Sequence, residues 1–204
     1  MNAIVPPIGK RIQLKRKTFT PPLGYTFPMT RTVIHTDEAG SDLGDVGLLA
    51  AHTGTGIRHR AFSVYVFNPE KSKMIIQKRS AKKMLWPLFW ANTCCSHPLR
   101  GESSSEAGER RLQEELGFTC ALEEGPSFTY RAEDPSGHGV EDEYDTILTG
   151  IVPEDQHMNS NPEEVLEWQW ISLAALSSDM AAKKDQYAPW FHLGLPKALS
   201  SLQS

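Results

Sequence analysis

Two cysteines stand side by side in the run NTCCSHP, Cys94 and Cys95, with His97 two places after the second. Residues of this kind at this spacing suit half of a metal site, half of a disulfide, or a nucleophile beside its base. The third cysteine is Cys120, and an odd number in a chain of 204 residues is no disulfide framework. Adjacent cysteines rarely bridge each other because the loop is strained, so a reducing compartment is the default. A second chemical stretch follows directly. In GESSSEAGERRLQEELGF, Arg111 and Glu115 are four apart and share a helix face, with Glu102 just before the first turn. Taken alone, this is a solvated helix with an internal Arg–Glu pair.

The elements that must position these residues can be read from patterning. Ser103 with Glu106 makes a capping box at the helix start, and Gly117 supplies its stop. Before it, HRAFSVYVFNPEKSKMIIQKR gives two β-rich runs joined by the turn NPEKS. RTVIHTDEAGSDLGDVG reads as a short strand and then a turn-rich loop, and residues 82 to 101 as irregular and aromatic. After the helix come three strand-like runs, PSFTYRA, EDEYDTILTGIV and VLEWQWI. A helix capped by Ser172 and a short final helix around Trp190 complete the chain. Strands on both sides of one central helix, with more helices late, predict an α/β domain: a mixed sheet packed between helices, spanning residues 31–204. Residues 1–30 read as an irregular basic arm, with no acidic residue up to Arg31.

Composition bounds the function. Charged residues are 23%, hydrophobic ones 39%, and the net charge is −4, so no global field favours nucleic acid or an anionic membrane. No apolar run approaches the ~20 residues of a membrane helix. The expectation is a monomeric cytoplasmic protein acting on a small molecule. Organellar import stays open because the arm is acid-poor, although Pro6, Pro7, Pro21, Pro22 and Pro28 argue against a targeting helix.

The spacing of Glu102, Arg110, Leu112, Glu114, Glu115, Gly117 and Phe118 resembles the Nudix box, the loop–helix signature of enzymes that hold a diphosphate through divalent metal. The match departs twice. Ser96 stands where the box begins with glycine, and Arg111 stands where the hydrolases carry a glutamate. A guanidinium in place of a carboxylate removes a metal ligand and supplies a phosphate clamp, which points to holding a diphosphate without cleaving it. Together with AAHTGTGIRHRAF, QKRSAKKMLWP, WANTCCSHPLRGES, FTYRAEDPSG and EDEY, the pattern resembles the metal-dependent, flavin-free isopentenyl-diphosphate Δ-isomerases, from about Val33 to Trp190.

The resemblance implies a Nudix-like fold and a 1,3-allylic proton shift between isopentenyl and dimethylallyl diphosphate. It places Cys95 and Glu143 on the two sides of the substrate, Tyr130 beside Glu143, and the ring of Trp190 facing a developing tertiary cation, for which an indole is the best partner. A thiolate serves as base where its pKa is lowered. Metal ligands carry over as His52, His59, His97, Glu141 and Glu143, a set that suits Zn²⁺, Mn²⁺ or Mg²⁺. Glu141 and Glu143 are two apart and share a strand face. His52 and His59 are seven apart and converge only if TGTG turns the chain between them. The diphosphate clamp carries over as Arg79, Lys83 and Arg111, and a second Mg²⁺, bound with substrate, falls to Glu115 and the backbone carbonyl of Cys95.

Two other readings compete. A Nudix diphosphohydrolase for a nucleoside or prenyl diphosphate leaves Arg111, the histidines and Cys95 without a task. A zinc-stabilised binding module leaves the paired glutamates and Tyr130 without one. One family contact is missing: Leu48 stands where a lysine commonly reaches the diphosphate, so either a lysine of the arm replaces it or substrate binds more weakly. Removal of residues 1–30 should raise the Michaelis constant if the arm supplies that contact; an unchanged constant removes the arm from consideration.

Overall fold

A computed structural model describes residues 31–202; the basic arm expected at 1–30 lies outside the described residues. The organising strand is β3 (His59–Phe67), which runs on through the tight turn 68–72 into β4 (Lys73–Arg79). The Asn68 side chain shapes that turn by accepting from the backbone N–H groups of Ser72 and Lys73, each at 2.9 Å. Because side chains alternate across a strand, β3 feeds two cores. Phe62, Val64 and Val66 point to one face, Tyr65 and Phe67 to the other. A strand covered on both faces is rich in apolar residues, and β3 is apolar apart from His59, Arg60 and Ser63.

The first face is covered by α2 (Ser104–Leu116), which buries Ala107, Leu112 and Leu116 against Phe62, Val64 and Leu148. Its predicted ends are present. Ser103 and Glu106 form the reciprocal capping box, and Gly117 closes the helix in the left-handed conformation at φ 76°. The second face is covered by α3 (Leu173–Ala182) and α4 (Pro189–Ser201), whose Leu176, Trp190 and Phe191 pack with Tyr65, Phe67 and Ile147. Emptying one of these sites, as in Leu112→Ala, removes roughly 2–5 kcal/mol of stability.

The nine-stranded sheet is mixed. β3 pairs in parallel with β8 (Val140–Ile151) along its whole length and antiparallel with the short β6 (Cys94–Ser96). β7 (Leu122–Glu133) pairs antiparallel with β8, and β9 (Val165–Ser172) and β5 (Trp90–Ala91) pair antiparallel with β4. The architecture is the expected mixed sheet between helices. Local details depart from expectation or add to it, and the stretch 82 to 101, expected irregular, carries the short strands β5 and β6. The loop expected after the first strand is a second strand: β1 (Thr32–Thr36) pairs antiparallel with β2 (Asp42–Gly47), where Asp42, Gly44 and Asp45 mask the strand pattern on an exposed edge. A short helix, α1 (Leu48–Ala51), precedes His52. The final helix is not short but 13 residues long.

Gly117 gives a direct stability test. A Cβ there would lie 2.6 Å from the backbone oxygen of Asn159, in a backbone conformation that disfavours any side chain. Gly117→Ala should lower the unfolding free energy by about 2 kcal/mol in urea titration; a change below ~0.5 kcal/mol, the ordinary surface range, contradicts this account.

Candidate active site

Four elements deliver the histidines and glutamates. β8 carries Glu141 and Glu143 on one face, and the parallel register sets Glu143 directly opposite His59, the first residue of β3. His52 caps α1, and the chain reverses between it and His59 through Gly54 at φ 66° and Gly56 at φ 76°. The N–H of Ile57 then returns to the carbonyl of Ala51 at 3.0 Å. His97 follows β6 on the other side of β3. The expected convergence occurs: ring centroids are 4.6 Å apart for His52 and His59, 4.8 Å for His59 and His97, and 5.2 Å for His52 and His97.

One ligand atom from each of His52, His59, His97 and Glu143 lies within 4.8 Å of the others. Glu141 sits at the rim, its Oε2 3.0 Å from His52 Nε2. Nδ1 of His52 faces the carbonyl of Leu48 at 2.7 Å, and Nδ1 of His59 that of Ile57 at 2.8 Å. A carbonyl only accepts, so both Nδ1 atoms carry hydrogen and Nε2 is the atom turned inward. Metal-ligating histidines are commonly oriented in this way. Apart from its contact with His52, the buried Oε2 of Glu141 makes no hydrogen bond. The residues fit a divalent ion.

The electrostatics of the cluster are uneven. Burial opposes protonation of His52, yet the Glu141 carboxylate outweighs it and raises the imidazole to about 9. Burial drives His97 down to about 3. Burial also works against ionising Glu143, but its contacts with His59 and His97 hold it below the usual carboxylate range. Tyr130, opposite Glu143 in the β7–β8 register, donates its hydroxyl to the second oxygen, Oε2. The cluster therefore carries a proton on His52 beside Glu141 while His97 stays neutral, and a metal would take the place of the His52 proton.

On the other flank of β3, Cys95 pairs with Ser63. Arg79 lies 3.7 Å from its sulfur and 5.2 Å from the centroid of the Trp190 ring. Its other contacts hold the loop before β5, donating to the carbonyls of Leu85 at 2.9 Å and Trp86 at 3.0 Å. Trp190 meets Trp86 edge-on and lies 6.3 Å from Tyr130. A continuous wall thus runs from Cys95 through Arg79 and Trp190 to Tyr130 and Glu143. One expectation changes. Base action was tied to a lowered cysteine pKa, but burial pushes the Cys95 thiol up to about 12 with only Arg79 and Lys83 pulling against it, so the group is a thiol at neutral pH.

Lys83 and Arg111 come together, with Glu115 between them and the sheet. Arg111 donates to Glu115 and, at 2.6 Å, to Glu114; Gln77 donates to Glu115 at 3.1 Å. Arg79 stands nearer the sulfur than this ion network. Leu48 is buried with Val33 and Ala51, and Cys94 packs under α2. Several residues had no signal of their own in the sequence. Glu164 bonds Lys83 and Arg111. Asn92 accepts from the Trp190 indole at 3.0 Å and donates to the carbonyl of Cys94 at 2.7 Å. Asp145 is fully enclosed behind Glu143 and accepts from Ser63 at 2.7 Å. Asp134 accepts from the backbone N–H of Trp86 at 2.7 Å. Of these, only Glu164 lies outside the patterned stretches: Asn92 is in WANTCCSHPLRGES, Asp134 in FTYRAEDPSG and Asp145 in EDEYDTILTGIV.

Comparison with known proteins decides the family. The NUDIX domain model matches residues 57–191. An isopentenyl-diphosphate Δ-isomerase of Nocardia farcinica is 41% identical over 154 residues, which is 76% of this chain and 86% of that protein. The chain belongs to the isopentenyl-diphosphate Δ-isomerase family. Isopentenyl-diphosphate Δ-isomerase 2 of Aromatoleum aromaticum, another member, is 37% identical over 84% of this chain and 88% of its own length. The Nudix fold of the isomerase family appears in a Deinococcus radiodurans structure with a TM-score of 0.64 at 17% identity, covering 82% of this chain and 99% of that one. It appears also in a MutT protein of Methanosarcina mazei, at 0.55 and 13%, covering 72% and 96%.

For this isomerase-family chain, protein passed through gel filtration should retain about one divalent ion per chain by elemental analysis. His59→Ala should lose it, and chelation of the wild type should lower the melting temperature. Full metal content in the variant would count against the histidine cluster as its seat.

Proposed function

We propose that the chain interconverts isopentenyl and dimethylallyl diphosphate by proton addition and removal on opposite sides of the olefin. The observation that carries this is the arrangement of Cys95 and the Tyr130–Glu143 pair on the two flanks of β3, joined by the wall of Trp190. An isolated alkene accepts a proton only from an acid held dry against it, and the resulting tertiary cation must be protected from water. One group donates to the terminal carbon, and the other removes a proton on the far side, so the enzyme's proton count is restored. Their roles exchange with direction. The indole face of Trp190 stabilises the cation between the two steps.

The supporting residues have distinct tasks. His52, His59, His97, Glu141 and Glu143 are proposed to hold Zn²⁺, Mn²⁺ or Mg²⁺, which when bound fixes and polarises the Glu143 carboxyl. Lys83, Arg111 and Arg79 bind the diphosphate. Glu115 and the backbone carbonyl of Cys95 receive the Mg²⁺ that travels with it. Arg111 in place of a further carboxylate favours holding the diphosphate over cleaving it. Three unbridged cysteines fit a reducing compartment, and the cytoplasm is the proposed one. Among the described residues, no helix is long and apolar enough to cross a membrane.

In deuterated water with Mg²⁺, wild type should incorporate label from isopentenyl diphosphate without releasing phosphate. Cys95→Ala and Glu143→Gln should each lose about a thousandfold in rate, within the range for a positioned acid or base. Phosphate release with no label would instead identify a diphosphohydrolase.

A further inference from the structure

The ion network at Lys83 and Arg111 contains one carboxylate that the isomerase reading does not use. Glu164 lies just before β9, and its two oxygens divide between the cations. Oε2 accepts from Lys83 Nζ, and Oε1 from Arg111 at 3.1 Å. A phosphate group bridging the same two cations would do so in the same way. The backbone of Glu164 is fixed independently: its carbonyl accepts from Ser80 at 2.9 Å and its N–H donates to Asn161 at 3.0 Å. Its side chain can therefore move without the loop moving.

Lys83 and Arg111 face Glu115 and Glu164, and Arg111 also pairs with Glu114, which it shares with Arg110. A diphosphate entering this group adds several negative charges, so one carboxylate has to give way. Glu114 is held by Arg110 as well, and the other two differ sharply in freedom. The Glu115 side chain is 1% exposed and bonded to both Arg111 and Gln77, whereas that of Glu164 is 25% exposed and faces the same cations from outside.

We propose that Glu164 is a tethered stand-in for a phosphate group: its carboxylate occupies the Lys83–Arg111 pair, and an incoming diphosphate takes its place. The proposal rests on the reading of Lys83 and Arg111 as diphosphate ligands. Two properties follow. The enclosed cations are paired at every stage, which avoids the penalty of an unmatched buried charge. An anion must also outcompete a carboxylate held at high effective concentration, which disfavours weakly charged metabolites and selects polyanions.

Calorimetric titration of the full chain with pyrophosphate at constant Mg²⁺ tests this. Glu164→Gln and Glu164→Ala should bind about tenfold more tightly than wild type, the loss of one charge-assisted contact from the competing state. Lys83→Met and Arg111→Met should bind more weakly. Equal or weaker binding by both Glu164 variants, with the cation variants still weakened, overturns the stand-in and leaves the clamp in place; a purely structural or metal-ligating Glu164 gives that result. Unchanged binding by the cation variants overturns the clamp and the stand-in together.

Discussion

The parallel pairing of β3 with β8 is the constraint on which the site depends. It sets His59 against Glu143 and leaves both flanks of β3 occupied, with β6 on one side and β8 on the other. A slip of one residue would turn Glu141 and Glu143 from the metal cluster toward α2, because strand side chains alternate. The two apolar cores prevent that slip. Leu148 must face α2 and Ile147 must face α4, so the packing that stabilises the domain also fixes where its carboxylates point. Stability and catalytic geometry share one register here.

Charge is handled differently at the two ends of the site. At the histidine cluster, carboxylates and imidazoles converge with too little positive charge among them, and the arrangement favours a cation. At Lys83 and Arg111 the cations are already paired with carboxylates of the protein. The buried rings of Trp86, Tyr130 and Trp190 run from Arg79 to Glu143, the apolar surface against which the olefin is proposed to lie.

Much of this was legible in the chain, and what was not has a physical reason. α2 could be read with both ends because its cap, its box partner and its terminal glycine lie within fifteen consecutive residues and act locally. The hairpin β3–β4 was legible through its turn and its apolar runs. The β2 strand was not, because an exposed edge strand with two aspartates and a glycine carries no apolar alternation. The metal set was reached through family resemblance; spacing alone placed His52 and His59 on opposite faces until the glycine turn was invoked. Glu164 meets Arg111 across 53 positions and Lys83 across 81, and no local pattern announces such a pair. The state of Cys95 also escaped the sequence, since it depends on enclosure by elements from four parts of the chain.

Asn92 ties the strand region beside Cys95 to the indole of Trp190 on α4. The five residues proposed to hold the metal all precede residue 144, whereas this tryptophan arrives only with the last helix. During synthesis, the ion-holding part of the molecule is thus encoded well before the lid over its hydrophobic chamber. Because Ile147 packs on α4 to hold the β8 register, those earlier residues gain their final arrangement only when the last helix has joined them.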